Sequence, residues 1–179
     1  KIKRTLEEIN REDFFGAVDD IASASNIYVM GARSSASLAG FLSHNLGMIF
    51  DSVKLVQTSS SDEMFEQMLN VGEGDVLIAI SFPRYSKKII HAVNYAKSKG
   101  ARVIAITDSQ TSPIAMLADR KLLAKSDMAS FVDSLVAPLS IINAIIVAVA
   151  RKNQDALTQR LRRLEEIWDE YEVYDQNLS

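Results

Sequence analysis

Residues 26–35 read NIYVMGARSS, in which apolar residues that favour strands close on a glycine and lead into a cation and two hydroxyls. Residues 75–86 read DVLIAISFPRYS and repeat that order, with a loop of hydroxyls and cations after the apolar run. Apolar runs without polar alternation are typical of strands buried on both faces, as in a parallel sheet. The two segments therefore predict buried parallel strands that each open into a polar loop.

Further apolar runs at residues 53–56 and 103–106, and a weaker one at 122–124, extend this pattern to five strands. Stripes at helical spacing lie between them, and only a short helix around 113–117 fits after the fourth strand. Strands that alternate with helices give right-handed βαβ units and a doubly wound α/β sheet. Helices are also predicted before the sheet, where Asn10 is the N-cap of one, and after it, at 135–151 and 155–174.

Length and composition fix the class of protein. The 179 residues suit one domain, and 20 basic against 23 acidic side chains give a net charge of −3, which argues against a surface built mainly for nucleic acid. The absence of cysteine excludes disulfides, thiolate zinc sites and cysteine nucleophiles. His44 and His91 have no metal-like spacing, so we expect neither a metal nor a cofactor. No apolar run reaches the roughly 20 residues of a membrane span, so we expect no membrane partner. The absence of cysteine is compatible with a reducing cytoplasm, where we expect the protein to lie.

Ligands of open parallel sheets bind beyond the carboxyl ends of the strands, so the loops after the first and third strands are the candidate site. Each of these loops leads into a helix, whose N-terminus offers free N–H groups and partial positive charge. Two such loops on adjacent strands form a phosphate cradle. The side chains that we expect to bind the phosphate are Arg33, Ser34, Ser35, Ser81, Arg84 and Ser86. Turn and capping chemistry is the alternative role for the serines.

The charge distribution supports an anionic ligand near the third strand. Residues 76–107 contain no acidic side chain but hold six cations, namely Arg84, Lys87, Lys88, Lys97, Lys99 and Arg102. The last three are equally consistent with solvated charges at a helix end. Among the hydroxyls after the second strand, Ser60 is a helix N-cap candidate whose hydroxyl is also a candidate ligand contact.

Common nucleotide motifs do not fit. Residues 31–36 read GARSSA, which is not the G-x-G-x-x-G of dinucleotide-binding folds, and the chain contains no GxxxxGK[ST] loop. A phosphoacceptor receiver domain would need an aspartate at the end of the third strand, where Ser81 stands. The anion is therefore expected to be a phosphate outside these nucleotide-binding classes.

The order and spacing of these segments resemble SIS (sugar isomerase) domains. The strand at 27–31 with Arg33, Ser34 and Ser35 is similar to their first phosphate loop, residues 75–86 are similar to the second, and GARVIAITDS at 100–109 matches their fourth strand and its exit. The resemblance implies a three-layer α-β-α sandwich with a five-stranded parallel sheet of flavodoxin-like order. It implies one SIS domain over 1–179, with N-terminal linker helices at 1–24, a core at 26–151 and a C-terminal helix at 155–174.

The resemblance also assigns residues of the site. Gly31 and Ser35 take first-loop positions, Ser81 takes the first hydroxyl of the second loop, and Ser86 replaces the threonine that usually caps the next helix. The second loop usually reads Ser-x-Ser-Gly-x-Thr, and here Pro83 and Arg84 replace the middle Ser and Gly. Proline removes a hydroxyl and an N–H donor, whereas arginine offers a bidentate phosphate contact. Arg33 stands where the first loop often has glycine. We expect the anion site to persist with altered detail.

Within SIS domains, the chain most resembles the effector domain of RpiR-type bacterial transcriptional regulators. The resemblance implies a sensor of a phosphorylated sugar or amino sugar that contacts DNA only through an N-terminal helix-turn-helix domain. A start at Lys1 rather than Met leads us to expect that this domain is missing from the sequence. The alternatives are an aldose–ketose isomerase, with a base from His44, Glu63, Glu66 or Asp133, and a purely structural oligomerisation domain.

An apolar seam on the last helix predicts a protein partner. Its residues recur at alternating spacings of four and three, namely Leu157, Leu161, Leu164, Trp168 and Tyr171. The helix at 135–150 is apolar nearly all round and needs cover on several sides. A homodimer or homotetramer would supply such cover, with packing on the chain's own sheet as the alternative.

Overall fold

The computed structural model of the chain describes residues 9–125 and 134–175. Five parallel strands form one sheet in the order β2-β1-β3-β4-β5, which is the flavodoxin-like order expected from the resemblance. The strands are β1 (Ile27–Gly31), β2 (Val53–Leu55), β3 (Val76–Ile80), β4 (Arg102–Thr107) and β5 (Arg120–Leu123). The helices in the described residues are α1 (Arg11–Ser23), α2 (Ser34–Gly47), α3 (Ser61–Gln67), α4 (Lys87–Ser98), α5 (Val136–Lys152) and α6 (Gln154–Glu170).

The sheet is covered on both faces by helices, so the predicted three-layer sandwich is confirmed. Alternate residues of each strand point to opposite faces. Val29, Ile78 and Ile104 pack in one apolar core with α1, α2 and α5. Met30, Leu77 and Val103 pack in a second core with α3 and α4. The runs have no polar alternation because both faces of these strands are buried.

Several predicted boundaries differ from the structure. The second strand ends one residue early, and the fifth begins at Arg120 rather than at 122. Residues 113–117 form turns and not the predicted short helix, because the Asp119 N–H already bonds to the Val103 carbonyl (2.9 Å) and draws the chain into β5. The last helix ends at Glu170 rather than near 174, and Glu172 has a positive φ of 50°.

Helix α1 belongs to the packed body, although the sequence suggested linker helices over 1–24. Its Asn10 cap is confirmed, since the Asp13 N–H donates to the Asn10 side chain (3.1 Å). Ala17, Val18 and Ile21 are buried in the core that α1 shares with α5. Ile2, Leu6 and Ile9 share a face at helical spacing and predict a further helix before Asn10, but residues 1–8 lie outside the described residues.

Helix α6 contrasts with this body, because none of its residues is buried. Leu157 packs against the core, whereas Leu161 and Ile167 are exposed by 38% and 47%. Of the five seam residues, Leu161 and Tyr171 are exposed, whereas Leu157, Leu164 and Trp168 are half-buried. The chain itself therefore covers the predicted seam only in part. Within the described residues, no single helix has both the length and the hydropathy to cross a membrane; only α5 and α6 taken together, with a 95° bend between them, meet those criteria.

Strand register sets the place of the candidate loops. Gly31 pairs with Ile80, and Ile80 pairs with Ile106, so β1, β3 and β4 end side by side. The loops that follow β1 and β3 are neighbours at this carboxyl edge, as the sequence predicted.

Candidate anion-binding site

The loop after β1 depends on a glycine at position 31. A Cβ at Gly31 would lie 2.5 Å from the backbone oxygen of Ser35, closer than real contacts allow. The first turn of α2 therefore packs directly on the end of the strand, and Ser35 there is 4% exposed. Gly31 positions the loop and is not among the residues that line the cavity described next.

The two loops enclose one cavity of about 160 Å³. Six of the side chains predicted from the sequence line it: Arg33, Ser34, Ser35, Ser81, Arg84 and Ser86. Ser81 directly follows β3 and is buried, with its N–H bonded to the Ile106 carbonyl (3.0 Å). The structure thus brings serine hydroxyls and guanidinium groups from both loops around a single space.

Both arginines adopt backbone conformations that favour glycine. Arg33 has a φ of 56° and Arg84 a φ of 66°. An L-residue in this region costs about 1–2 kcal/mol relative to right-handed conformations. These are the two positions at which the resemblance places glycine, so the loops keep the glycine conformation while they gain a cation. Strain of this kind concentrates at functional sites.

The N-terminus of α4 is available to an anion. Ser86 is its N-cap, yet the side chain makes no capping bond, and it lines the cavity with Ile89. Within residues 9–125 and 134–175, no acceptor is bonded to the backbone N–H groups of Lys87, Lys88 and Ile89. Free N–H groups and the partial positive charge of the helix favour a negative group here.

The cavity is electropositive. Among residues 9–125 and 134–175, no carboxylate lines it and none forms an ion pair with Arg33 or Arg84. Both side chains are exposed enough to turn towards a bound group. A guanidinium offers a planar fork of donors that suits a phosphate or a carboxylate.

The hydroxyls after β2 take different roles. Ser60 caps α3, since its hydroxyl accepts from the Glu63 N–H at 3.5 Å, and it lines neither this cavity nor its neighbour. Thr58 and Ser59 instead line a second cavity, and the Thr58 hydroxyl donates to the Gly31 carbonyl (3.1 Å). Sequence reasoning missed Thr58; the run of four hydroxyls at 58–61 was the signal that pointed to this loop.

The loop after β3 is held by a contact to the end of β4. The Tyr85 hydroxyl donates to Asp108 at 2.7 Å, and the buried Thr107 hydroxyl also lies 3.3 Å from that carboxylate. Burial, followed by the bond to Asp108, raises the pKa of Tyr85 to about 12. The phenol therefore remains a donor at neutral pH and fixes the residue that follows Arg84.

The base candidates of an isomerase lie away from the cavity. His44 is exposed ten residues into α2, and Glu63 and Glu66 are exposed on α3. None of the three lines either cavity, and Asp133 lies outside the described residues. His91 is exposed on α4, and no group of three metal-binding side chains occurs in the described part of the chain.

Comparison with protein families gives a match to the SIS domain over residues 20–148. Among curated proteins, an HTH-type transcriptional regulator of Caldanaerobacter subterraneus is 27% identical over 172 residues, covering 93% of this chain and 60% of that protein. The HTH-type transcriptional regulator RpiR of Escherichia coli is 26% identical, covering 83% of this chain and 53% of that protein. The chain thus spans little more than half the length of these relatives.

Solved structures share the same architecture. The sugar isomerase domain of an RpiR transcription factor from Sphaerobacter thermophilus has a TM-score of 0.87 and 26% identity, covering 92% of each chain. The NanR protein of Vibrio vulnificus, complexed with ManNAc-6P, has a TM-score of 0.81 and 18% identity over 95% of this chain and 65% of its own. At 18% identity, the similarity to NanR shows that the two chains share a fold.

Proposed function

Because this chain belongs to the SIS domain family, we propose that it is the sugar-phosphate-sensing and dimerising effector domain of a transcriptional regulator. Its ligand is a phosphorylated sugar or amino sugar, bound by the loops after β1 and β3. The observation that carries this proposal is one cavity lined by two arginines that form no ion pair with a described carboxylate, by the buried Ser35 and Ser81, and by Ser86 at the uncapped N-terminus of α4. A phosphate matches that donor set in charge and in geometry.

The role in regulation is supported by relatives. The regulators from Caldanaerobacter subterraneus and Escherichia coli are of the HTH type, and the Vibrio vulnificus NanR structure, similar in fold, holds ManNAc-6P. DNA contact would come through a helix-turn-helix domain outside these 179 residues, in the cytoplasm. Ligand binding to this domain would then change DNA binding by changing how the attached helix-turn-helix domains are arranged.

The mechanism is a shift between two dimer arrangements. A ligand moves an equilibrium only by its difference in affinity for the two states. Phosphate would bridge the loops after β1 and β3 within one chain. It would favour the dimer arrangement that is compatible with the bridged loops, and the spacing of the attached DNA-binding domains would follow. The two arginines would supply the differential contacts, because they come from different loops and line one cavity.

Helix α6 would form part of the dimer interface. This helix has no buried residue and exposes Leu161 and Ile167, and Tyr171, which directly follows the helix, is exposed as well. Exposed apolar side chains that lie close together are typical of a protein interface, so we expect a second copy of the chain to cover these three. Light scattering at micromolar concentration tests this part of the proposal: we expect a dimer or tetramer, and a monomer would contradict it.

Calorimetry with a panel of sugar phosphates tests the ligand class. We expect at least one sugar phosphate to bind, and Ser81→Ala and Arg84→Ala to weaken that binding by about tenfold or more. Lys97→Ala is the matched control, because that side chain lies on α4 outside both cavities. Failure of every ligand to bind would contradict the proposal. Exchange of solvent protons into a bound sugar phosphate would instead point to an isomerase.

A further inference from the structure

A second cavity adjoins the phosphate cavity. It has a volume of about 530 Å³ and shares Ala32, Arg33 and Ser86 with the first. Its far wall consists of residues after β2 and of Lys88 on α4. Ligand pockets usually occupy about 300–1,000 Å³, so this space suits the body of a small ligand whose phosphate lies in the first cavity.

Lys88 brings a positive charge to this far wall. Its ammonium lies 3.3 Å from the Thr58 carbonyl and 3.2 Å from the Ser59 carbonyl. These neutral acceptors use two of the three N–H donors of a lysine and orient the third. No carboxylate among the described residues forms an ion pair with it. The charge is thus held in place but not neutralised.

The cations of the joined cavities exceed what one phosphate requires. Arg84 lines only the first cavity, Lys88 only the second, and Arg33 both, while no acidic residue in the described part of the chain lines either. A phosphate monoester carries about −1.5 to −2 charges at neutral pH. The two arginines balance that charge, which leaves Lys88 facing the rest of the ligand. An uncharged sugar would leave this ammonium without a countercharge.

We infer that the ligand carries a second anionic group, a carboxylate, at the end opposite its phosphate, and that Lys88 is the residue that selects it. The ligand class is then a phosphorylated sugar acid rather than a neutral sugar phosphate. This inference rests on the proposed function, because it assumes that the phosphate occupies the cavity between the loops after β1 and β3. It assigns Arg33 to the middle of the ligand, where the two cavities meet.

Matched pairs of ligands test the inference by calorimetry on the whole chain. Phosphogluconate and glucitol phosphate form one pair, phosphoribonate and ribitol phosphate the other; each is open-chain, phosphorylated on the terminal carbon, and differs at the first carbon by a carboxylate. We expect the acid to bind about tenfold more tightly than its polyol in at least one pair, as charge-assisted contacts predict. Lys88→Gln should weaken binding of the acid about tenfold more than binding of its polyol, and so remove that preference.

Lys87→Gln is the matched control, because Lys87 precedes Lys88 on α4 but lines neither cavity. Lys88→Arg should keep the preference for the acid, since it keeps the charge. Equal affinity within both pairs would overturn the inference while the proposed function stands. If neither the ligands of these pairs nor inorganic phosphate binds, both are contradicted. A preference that survives Lys88→Gln would also overturn the role of Lys88.

Discussion

Two helices that begin at the same edge of the sheet treat their N-termini in opposite ways. Both α3 and α4 have serine as N-cap in an extended conformation. Ser60 on α3 accepts the Glu63 N–H, and the first turn of α3 contains the acids Asp62 and Glu63. Ser86 on α4 makes no capping bond, and the first turn of α4 contains no acid but two lysines.

The difference separates a helix end that stabilises itself from one that requires an anion. Acidic residues near a helix N-terminus are favourable, and cations there are unfavourable, by about 0.3–1 kcal/mol each. Helix α3 therefore satisfies its own dipole, whereas α4 adds positive charge to its positive end. Binding of a negative group would therefore stabilise the N-terminus of α4, as expected of a sensor of anionic ligands.

The largest effect is expected when the α4 end is made to resemble the α3 end. Ser86→Asp places a carboxylate where the phosphate would bind, so it should cap the free N–H groups and repel the ligand. We expect affinity for sugar phosphate to fall by about 100-fold or more, because like charges a few ångströms apart are strongly repulsive. Stability towards unfolding should rise by about 1 kcal/mol. Calorimetry and thermal unfolding of the same preparation measure both quantities.

Ser60→Asp is the matched control for this change, since it adds the same carboxylate to a helix end that already has acids. It should leave the affinity within about twofold of the original. An undiminished affinity in Ser86→Asp would mean that the anion does not bind at the α4 terminus, and the contrast between the two helices would lose its functional meaning.

Arg84 allows binding and strain to be separated. Arg84→Ala and Arg84→Gly both remove the guanidinium, so both should weaken phosphate binding by about 10- to 100-fold. They differ in the backbone, because only glycine accepts a φ of 66° without cost. We expect Arg84→Gly to be more stable than Arg84→Ala by about 1 kcal/mol in denaturant unfolding. Equal stability of the two variants would show that the loop relaxes and stores no strain.

The sequence predicted the strands well because burial on both faces leaves a simple pattern. Uninterrupted apolar runs located β1, β3 and β4, and parallel pairing then placed the loops together. The edge strands β2 and β5 have shorter apolar runs, and their bounds in the structure differ from the predicted ones. The prediction of a short helix at 113–117 was wrong because the long-range pairing of β5, and not local propensity, decides the conformation of this segment.

The site was predicted in part, and the missing part depends on long-range contacts. Six serines and arginines could be placed because they directly follow strands or begin helices. The sequence does not tell whether Ser60 and Ser86 cap a helix or bind the ligand, since both stand directly before a helix. The contribution of Thr58 and the brace between Tyr85 and Asp108 join segments that are far apart in sequence.

The Tyr85 brace predicts an intermediate effect on the α4 side of the comparison. Tyr85→Phe removes the donor to Asp108, so we expect a loss of about 1 kcal/mol and a few-fold weaker phosphate binding as the loop loosens. The folded-state pKa of about 12 lies above the value of 10.0 for a free tyrosine. The unfolded chain therefore releases this proton first, and the stabilisation is complete below pH 10 and is lost as the pH rises towards 12.

The contribution of Tyr85 to the free energy of unfolding is measured by denaturant unfolding at several pH values. It is the difference in that free energy between the original chain and Tyr85→Phe. Tyr28, whose pKa is raised mainly by burial, titrates in both proteins and cancels. We expect the original chain to lose stability more steeply with rising alkaline pH than the variant. Parallel curves would contradict the raised pKa of Tyr85 in the folded chain.

The smallest effect is expected at Ser60, and it sharpens the comparison most directly. Ser60→Ala should lower stability by about 0.5 kcal/mol, near the lower end for N-caps because its bond to the Glu63 N–H is long. It should not change affinity for sugar phosphate, since Ser60 lines neither cavity. Ser86→Ala should do the reverse, with unchanged stability and weaker binding, because its hydroxyl faces the cavity and makes no capping bond. If Ser60→Ala weakened binding instead, its hydroxyl would have to reach the ligand, and the two serines would no longer divide into one that caps and one that binds.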